Sequence, residues 1–134
     1  MVCKVMVVDD ALMMRMVIGN FVNSLPGFEV VARAENGKVA LEQLAKWPDI
    51  NLILLDIEMP EMDGLEFLRY AKMKTKSKIC ILSSVAGSGS PYAAKARALG
   101  ADAIVTKPSG AVSMDLAEKR GSELAQVLKK LVAA

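Results

Sequence analysis

The sequence predicts an α/β domain built on a doubly wound, five-stranded parallel sheet with five helices. Short β-branched and aliphatic runs alternate with stretches of helical periodicity, which is the pattern of repeated βαβ units. A parallel sheet of this kind is covered by helices on both faces. The 134 residues, 53% of them hydrophobic, suffice to bury one core without a disulfide or structural metal. We therefore predict a single domain over residues 1–134.

Each predicted strand is a short apolar run rich in Val, Ile and Leu. Runs of this length, separated by helical patterns, are typical of the buried strands of βαβ units. In chain order the predicted strands are Lys4–Val8, Glu29–Ala34, Leu52–Asp56, Lys78–Ser83 and Ala103–Thr106.

The helices are identified by apolar residues three and four positions apart and by signals at their ends. Asn36 is a candidate N-cap of the second helix, Ser90-Pro91 supplies a cap and a first-turn proline for the fourth, and Gly100 ends the fourth. The apolar stripe of the first helix comprises Met14, Val17, Ile18, Phe21 and Val22. In chain order the predicted helices are Ala11–Leu25, Gly37–Trp47, Gly64–Met73, Pro91–Leu99 and Lys119–Leu131.

The composition excludes several classes of function. The chain contains no histidine, which removes Ser-His-Asp and Cys-His catalysis and imidazole metal ligation. Its formal charge of +2, with acids and bases interspersed, gives no basic stripe for nucleic acid. No apolar run approaches the ~20 residues of a membrane span, so we expect a cytoplasmic protein without membrane insertion. Cys3 and Cys80 lie in apolar strand runs and are expected to be free thiols.

Polar side chains gather where the predicted strands end. Asp9-Asp10 follows the first strand, Asp56 ends the third, Ser83-Ser84 ends the fourth and Thr106-Lys107 ends the fifth. The carboxyl ends of parallel strands form one edge of the sheet, where open α/β folds bind their ligands. Taken singly, each group has an ordinary structural role, such as a helix N-cap or a turn. Their convergence at one edge predicts a functional site.

Carboxylates crowded at that edge need a cation. At an effective dielectric of ~20, two carboxylates about 5 Å apart repel by roughly 3 kcal/mol. Mg²⁺, or Mn²⁺ in its place, suits the site because it prefers oxygen ligands and binds through one or two carboxylates plus phosphate oxygens. Asp56 would then act as a nucleophile on phosphorus. The Lys107 ammonium would stabilise the phosphoryl oxygens, and Ser83 would donate a hydrogen bond to them.

Four segments together resemble the response-regulator receiver domain, namely VMVVDD at 5–10, LLDIEMPEMDG at 54–64, ILSS at 81–84 and TKPSG at 106–110. The resemblance covers nearly the whole chain. It is strongest to the chemotaxis branch, which comprises stand-alone regulators of the CheY type and the receiver halves of CheB methylesterases. It implies the sheet order 2-1-3-4-5. It also implies a two-component regulator that accepts a phosphoryl group from a CheA-like histidine kinase and binds a flagellar motor switch protein or another output target.

The resemblance implies a role for each polar group at the sheet edge. Asp56 is the implied phosphoacceptor, and the domain is expected to signal and to catalyse only its own phosphorylation and dephosphorylation. The implied metal ligands are Asp9, Asp10, Asp56 and the backbone carbonyl of Glu58. The groups implied to stabilise the phosphoryl group and to switch with it are Ser83, Ser84 and Lys107.

The implied switch departs from the family pattern at one position. Ile104 stands where the family usually has Tyr or Phe, which weakens a mechanism that turns an aromatic ring inward. A shift of the Ser83 hydroxyl would instead reshape the loop over residues 85–90, whose glycines permit alternative backbone states.

Three further side chains are candidates for roles near the acids. Met13 and Met16 lie off the apolar stripe of the first helix, where they either dock the kinase's phosphohistidine domain or are partly buried under a loop. Glu58 lies two residues from Asp56, and its side chain is expected to alter the lifetime of the acyl phosphate by acting on the hydrolytic water.

Three alternatives to the stand-alone regulator remain open. A Mg²⁺-dependent phosphatase with an Asp nucleophile would need a second Asp where Glu58 stands. A flavodoxin-like nucleotide or flavin binder would need a phosphate loop, but AGSGSP at 86–91 is neither a Walker pattern nor a complete G-x-G-x-x-G. The chain would also suit the receiver part of a CheB-like methylesterase, although it contains no G-x-S-x-G itself.

Overall fold

The computed structural model of the chain describes residues 2–56, 64–83, 91–106 and 120–133, in which strands and helices alternate. Each element lies within two residues of its predicted bounds. The strands are β1 (Cys3–Val8), β2 (Phe28–Ala34), β3 (Leu52–Asp56), β4 (Lys78–Ser83) and β5 (Ala103–Thr106). The helices are α1 (Leu12–Ser24), α2 (Gly37–Lys46), α3 (Gly64–Lys74), α4 (Pro91–Ala98) and α5 (Arg120–Ala133).

The strands form one parallel sheet in the order β2-β1-β3-β4-β5. The predicted fold class and the strand order implied by the resemblance are both confirmed. From β1 the chain runs outward to β2 and then returns to place β3 on the other side of β1. The strand order therefore reverses between β1 and β3, which opens a crevice at their carboxyl ends.

Two apolar layers, one on each face, hold the helices to the sheet. Successive side chains of a strand point to opposite faces, so Val5 and Val7 of β1 lie in one layer and Met6 and Val8 in the other. The first layer contains the inner faces of α1 and α5, and the second contains those of α2, α3 and α4. Because β3 is central and covered on both faces, all of Leu52–Asp56 is buried. Each fully buried aliphatic side chain there stabilises the fold by roughly 1.5–3 kcal/mol.

The first helix packs through its predicted stripe. Ile18 and Val22 are fully buried against the sheet, and the other members of the stripe are half-buried beside them. Asn36 caps α2 as predicted, because its side-chain oxygen accepts a hydrogen bond of 2.9 Å from the Val39 N–H. Gly100 follows α4 with a φ of 106°, a backbone conformation that glycine adopts without strain.

Both cysteines are free thiols, as the sequence predicts. Cys80 is buried in β4 and Cys3 is half-buried in β1. Burial raises the pKa of the Cys80 thiol to about 12, with a smaller contribution from the negative charge of Asp102. Cys80 is therefore protonated at neutral pH and packs as a small apolar side chain. Within the described ranges, no helix has the length and apolar character needed to cross a membrane.

One carboxylate joins α3 to the start of β4. Asp102 Oδ2 accepts hydrogen bonds from the Lys72 ammonium at 3.0 Å and from the Ile79 N–H at 2.8 Å. The Asp102 N–H in turn donates to the Ile79 carbonyl at 2.8 Å. The side chain thus satisfies a backbone donor near the start of a core strand.

We predict that Asp102→Ala lowers the free energy of unfolding by about 1–2 kcal/mol, because the Ile79 N–H loses its acceptor. Urea denaturation of the two proteins measures the difference. Asp49→Ala is the matched control, since Asp49 also pairs with a lysine, Lys4, but in a solvent-exposed bridge that contributes little. Equal midpoints for wild type and Asp102→Ala would contradict the prediction.

Candidate functional site

The register of β1 on β3 brings the predicted acids together. Val8 pairs with Leu55, so the residues that follow, Asp9 and Asp56, leave the sheet side by side at its carboxyl edge. Asp10 comes next in the chain. One carboxylate oxygen from each of Asp9, Asp10 and Asp56 lies within 4.8 Å of the other two. We call these three residues the acidic cluster.

The acidic cluster combines burial with like charge. Asp9 is 1% exposed and Asp56 is 2% exposed, whereas Asp10 is open to solvent. Two carboxylates at such a separation repel by roughly 3 kcal/mol at an effective dielectric of ~20. A bound cation would offset this repulsion, and solvent reaches the cluster from the side of Asp10.

The donor set of the acidic cluster fits a small divalent cation. All the candidate ligand atoms are carboxylate oxygens, which Mg²⁺ and Mn²⁺ prefer. Because these oxygens lie within 4.8 Å of one another, Asp9, Asp10 and Asp56 are the residues that would hold such an ion.

At the end of β1, Asp9 makes hydrogen bonds with β2, with α1 and with the residue before α1. Its N–H donates to the Ala34 carbonyl of β2 at 3.0 Å, and its Oδ1 accepts from the Ala11 N–H at 2.8 Å. Its carbonyl oxygen accepts from Nη1 of Arg15 at 2.6 Å. The sequence does not predict this contact of Arg15. Nothing in the pattern indicates that a basic side chain on the first helix bonds to the end of the preceding strand.

The ends of β4 and β5 reach the same edge of the sheet. Asp56 pairs with Leu82 of β4, and the next residue, Ser83, pairs with Thr106 of β5. The backbone therefore brings both strand ends beside the acidic cluster. The side chains of Ser83 and Thr106 lie outside the described part of the structure. The predicted site residues that lie wholly outside it are Glu58, Ser84 and Lys107.

The exposed face of α1 lies beside the acidic cluster. Met13 is 72% exposed and Met16 is 53% exposed, so more than half of each residue is open to solvent. Leu12, which is 64% exposed, precedes Met13 on the same helix and adds to the exposed apolar residues there. The sequence pattern did not single out Leu12, although it too lies off the stripe of α1.

Ile104 occupies the half-buried middle of β5. It packs against the apolar layer that contains α2, α3 and α4. A branched aliphatic side chain in this position fills the layer and offers no aromatic ring or hydroxyl to the sheet edge.

A cavity of about 840 Å³ lies at the opposite end of the sheet from the acidic cluster. It is lined at the amino ends of the strands by residues such as Cys3, Phe28, Asn51 and Lys78. The residues that line this cavity therefore do not include those of the acidic cluster. The chemistry of the side chains, rather than the depth of the cavity, identifies the acidic cluster as the candidate site.

Comparisons with known proteins agree with this arrangement. The family model of the response regulator receiver domain matches residues 5–118. A protein-glutamate methylesterase/protein-glutamine glutaminase of Treponema denticola is 40% identical over 133 residues, which is 98% of this chain and 34% of the relative. A homologue with the same name from Halalkalibacterium halodurans is 43% identical over 118 residues, 87% of this chain and 34% of the relative. The chain spans roughly a third of the length of these curated relatives.

Two solved structures are similar over nearly the whole chain. A chain of the crystal structure of the P1 domain of CheA3 in complex with CheY6 from R. sphaeroides is 60% identical, with a TM-score of 0.82 over 98% of this chain and 97% of that one. The response regulator domain of Thermotoga maritima CheB is 30% identical, with a TM-score of 0.85 over the same shares. The sheet order, the acidic cluster and the family match lead to one assignment: this chain belongs to the response regulator receiver domain family and is similar to its chemotaxis members.

Proposed function

We propose that this protein is a chemotaxis response regulator, a single receiver domain over residues 1–134 in which Asp56 accepts a phosphoryl group from a histidine kinase. The observation that carries the proposal is the buried Asp56 carboxylate within 4.8 Å of Asp9 and Asp10 at the carboxyl edge of the sheet. The proposal places the protein in the cytoplasm. Family membership favours this function over the phosphatase and the flavin binder.

In the proposed reaction a carboxylate oxygen of Asp56 attacks phosphorus. The new bond is Asp56 O–P, and the P–N bond to the phosphohistidine of the kinase breaks, so that the imidazole leaves. Asp9, Asp10 and Asp56, with the Glu58 carbonyl, would hold Mg²⁺ or Mn²⁺. When bound, the metal neutralises carboxylate and phosphoryl charge.

The groups at the ends of β4 and β5 complete the proposed site. The Lys107 ammonium stabilises the phosphoryl oxygens, and the hydroxyls of Ser83 and Ser84 donate hydrogen bonds to them. A change at Ser83 would pass to the 85–90 loop and to the surface of α4, β5 and α5. That surface would bind the output target, a flagellar motor switch protein or another partner.

A kinase partner is supported by a solved complex of a similar protein. The similar chain at 60% identity comes from a structure of the CheA3 P1 domain with CheY6. We propose that a CheA-like phosphotransfer domain docks on the exposed surface of α1 that comprises Leu12, Met13 and Met16. The flexible thioethers adapt to a partner, and the surface adjoins the solvent-open side of the acidic cluster.

A second candidate function is the receiver part of a CheB-like methylesterase. The curated relatives carry the methylesterase name and are about three times longer than this chain. The sequence contains no histidine and no G-x-S-x-G, so the hydrolase would belong to a further part of such a protein. The length of the open reading frame distinguishes the two.

The central prediction is that Asp56→Asn abolishes phosphorylation. Incubation with a small acyl-phosphate donor and Mg²⁺ should add the mass of one phosphoryl group to wild type and none to Asp56→Asn, because an amide is a poor nucleophile. Intact-protein mass spectrometry measures both. Asp49→Asn, an exposed acid at the opposite end of the sheet, should be modified like wild type. A missing adduct on wild type would overturn the proposed function.

We predict that the double variant Met13→Gln, Met16→Gln slows phosphoryl transfer from a P1-type domain at least fivefold, equivalent to about 1 kcal/mol at an apolar contact. Transfer from the small acyl-phosphate donor should not change, since that donor needs no docking surface. Stopped-flow or rapid-quench kinetics measure both rates. Met73→Gln is the control, because Met73 is 80% exposed on α3. Unchanged transfer from the P1-type domain would remove the docking surface from the proposal.

We predict that Glu58→Ala lengthens the lifetime of the acyl phosphate several-fold. A carboxylate two residues from Asp56 would orient the hydrolytic water and accept its proton, and alanine can do neither. Decay of the phosphorylated protein after removal of the donor measures the lifetime. Glu58→Gln separates the charge from the size of the side chain, and the idea fails if both variants decay at the wild-type rate.

A further inference from the structure

Arg15 turns back from α1 to the end of β1. Its Nη1 donates to the carbonyl oxygen of Asp9 at 2.6 Å, across a separation of six residues, in a part-buried position. A hydrogen bond from a guanidinium is charge-assisted and stronger than one between neutral groups. The bond therefore links the second turn of the helix to the strand end that carries the acidic cluster.

The carbonyl that Arg15 binds belongs to the peptide group between Asp9 and Asp10. A peptide group is planar, so fixing its carbonyl also fixes its N–H. Any rotation of this plane changes ψ of Asp9 and φ of Asp10. These two torsions set the directions of the two carboxylates relative to each other. Two other groups of Asp9 are also hydrogen-bonded: its N–H donates to the Ala34 carbonyl, and its Oδ1 accepts from the Ala11 N–H.

The hydrogen bond of Arg15 goes to the backbone of Asp9. Arg15 is in neither the Lys4–Asp49 nor the Lys72–Asp102 ion pair. A guanidinium placed there for its charge would gain more by pairing with a carboxylate of the cluster. Its proton goes instead to a neutral carbonyl oxygen.

We infer that Arg15 is a positioning residue for the acidic cluster: it holds the Asp9–Asp10 peptide in the orientation that directs both carboxylates toward Asp56. The inference rests on the proposed function, in which these acids hold the metal. Without the bond, the peptide rotates more freely. Cation binding must then order the peptide, which lowers the affinity for the cation.

The first test is nuclear magnetic resonance of the metal-free protein. The amide ¹⁵N of Asp10 belongs to the bound peptide and reports on its carbonyl. Arg15→Met should move this resonance and that of the Ala11 amide, and Arg15→Lys should restore part of the shift, because an ammonium can donate one bond. Arg69→Met is the control, since Arg69 is an exposed arginine on α3 that lies over the Tyr70 ring.

The second test is Mn²⁺ affinity, measured by electron paramagnetic resonance at about 0.5 M salt, where the Debye length is ~4 Å and distant charges are screened. If Arg15 positions the acids, the Kd for Mn²⁺ of Arg15→Met should be at least threefold higher than that of wild type. Arg15→Lys should have an intermediate Kd, and Arg69→Met should have the wild-type Kd. Loss of a positive charge alone would lower the Kd, since the cation would be repelled less. The direction of the change therefore separates the two roles.

The inference is overturned if the Asp10 and Ala11 resonances do not move in Arg15→Met, or if the Kd is unchanged or lower. Arg15→Lys gives the same comparison if Arg15→Met does not fold. If wild type binds no Mn²⁺, the proposed metal chemistry fails, and the Asp10 resonance in metal-free protein still decides whether Arg15 holds the peptide.

Discussion

The parallel pairing of β1 with β3 is the constraint on which the rest of the site depends. Because Val8 lies beside Leu55, Asp9 and Asp56 are forced together at one edge, where they repel by roughly 3 kcal/mol. The buried aliphatic residues of β3, each worth roughly 1.5–3 kcal/mol, more than offset this repulsion. The core therefore holds the acids together before any cation arrives, and the acidic cluster is preorganised for a positive charge.

The sequence predicted the elements of the fold well because their signals are local. A four-residue aliphatic run such as Leu52–Leu55 identifies a buried strand by itself, and the stripe through Ile18 and Val22 identifies the inner face of α1. The strand order has no such local signal. The alternating pattern permits several orders, and the observed one was expected only because the motifs at the strand ends resemble a known family.

The residues of the acidic cluster were predictable from the sequence, but the hydrogen bonds that hold them in place were not. Acids at the ends of β1 and β3 could be placed at one edge from topology alone. The contact of Arg15 with the Asp9 carbonyl depends on the angle between α1 and the sheet, and the hydrogen bond that the Ile79 N–H donates to Asp102 depends on the turn before β5. Periodicity in the sequence predicts which face of a helix or strand is buried. It does not predict which atoms the polar side chains contact.

The two proposed roles of α1 meet in a single turn of helix. Leu12, Met13 and Met16 form its exposed apolar surface, while Arg15, between them in the chain, binds the peptide that joins Asp9 to Asp10. A partner that binds this surface would contact the same helical turn that is proposed to orient Asp9 and Asp10. Docking and phosphoryl acceptance would then be coupled through α1, whereas the output signal would leave through β4 and β5 on the other side of Asp56. In this proposal, the order of the strands separates the surface that binds the kinase from the surface that binds the output target.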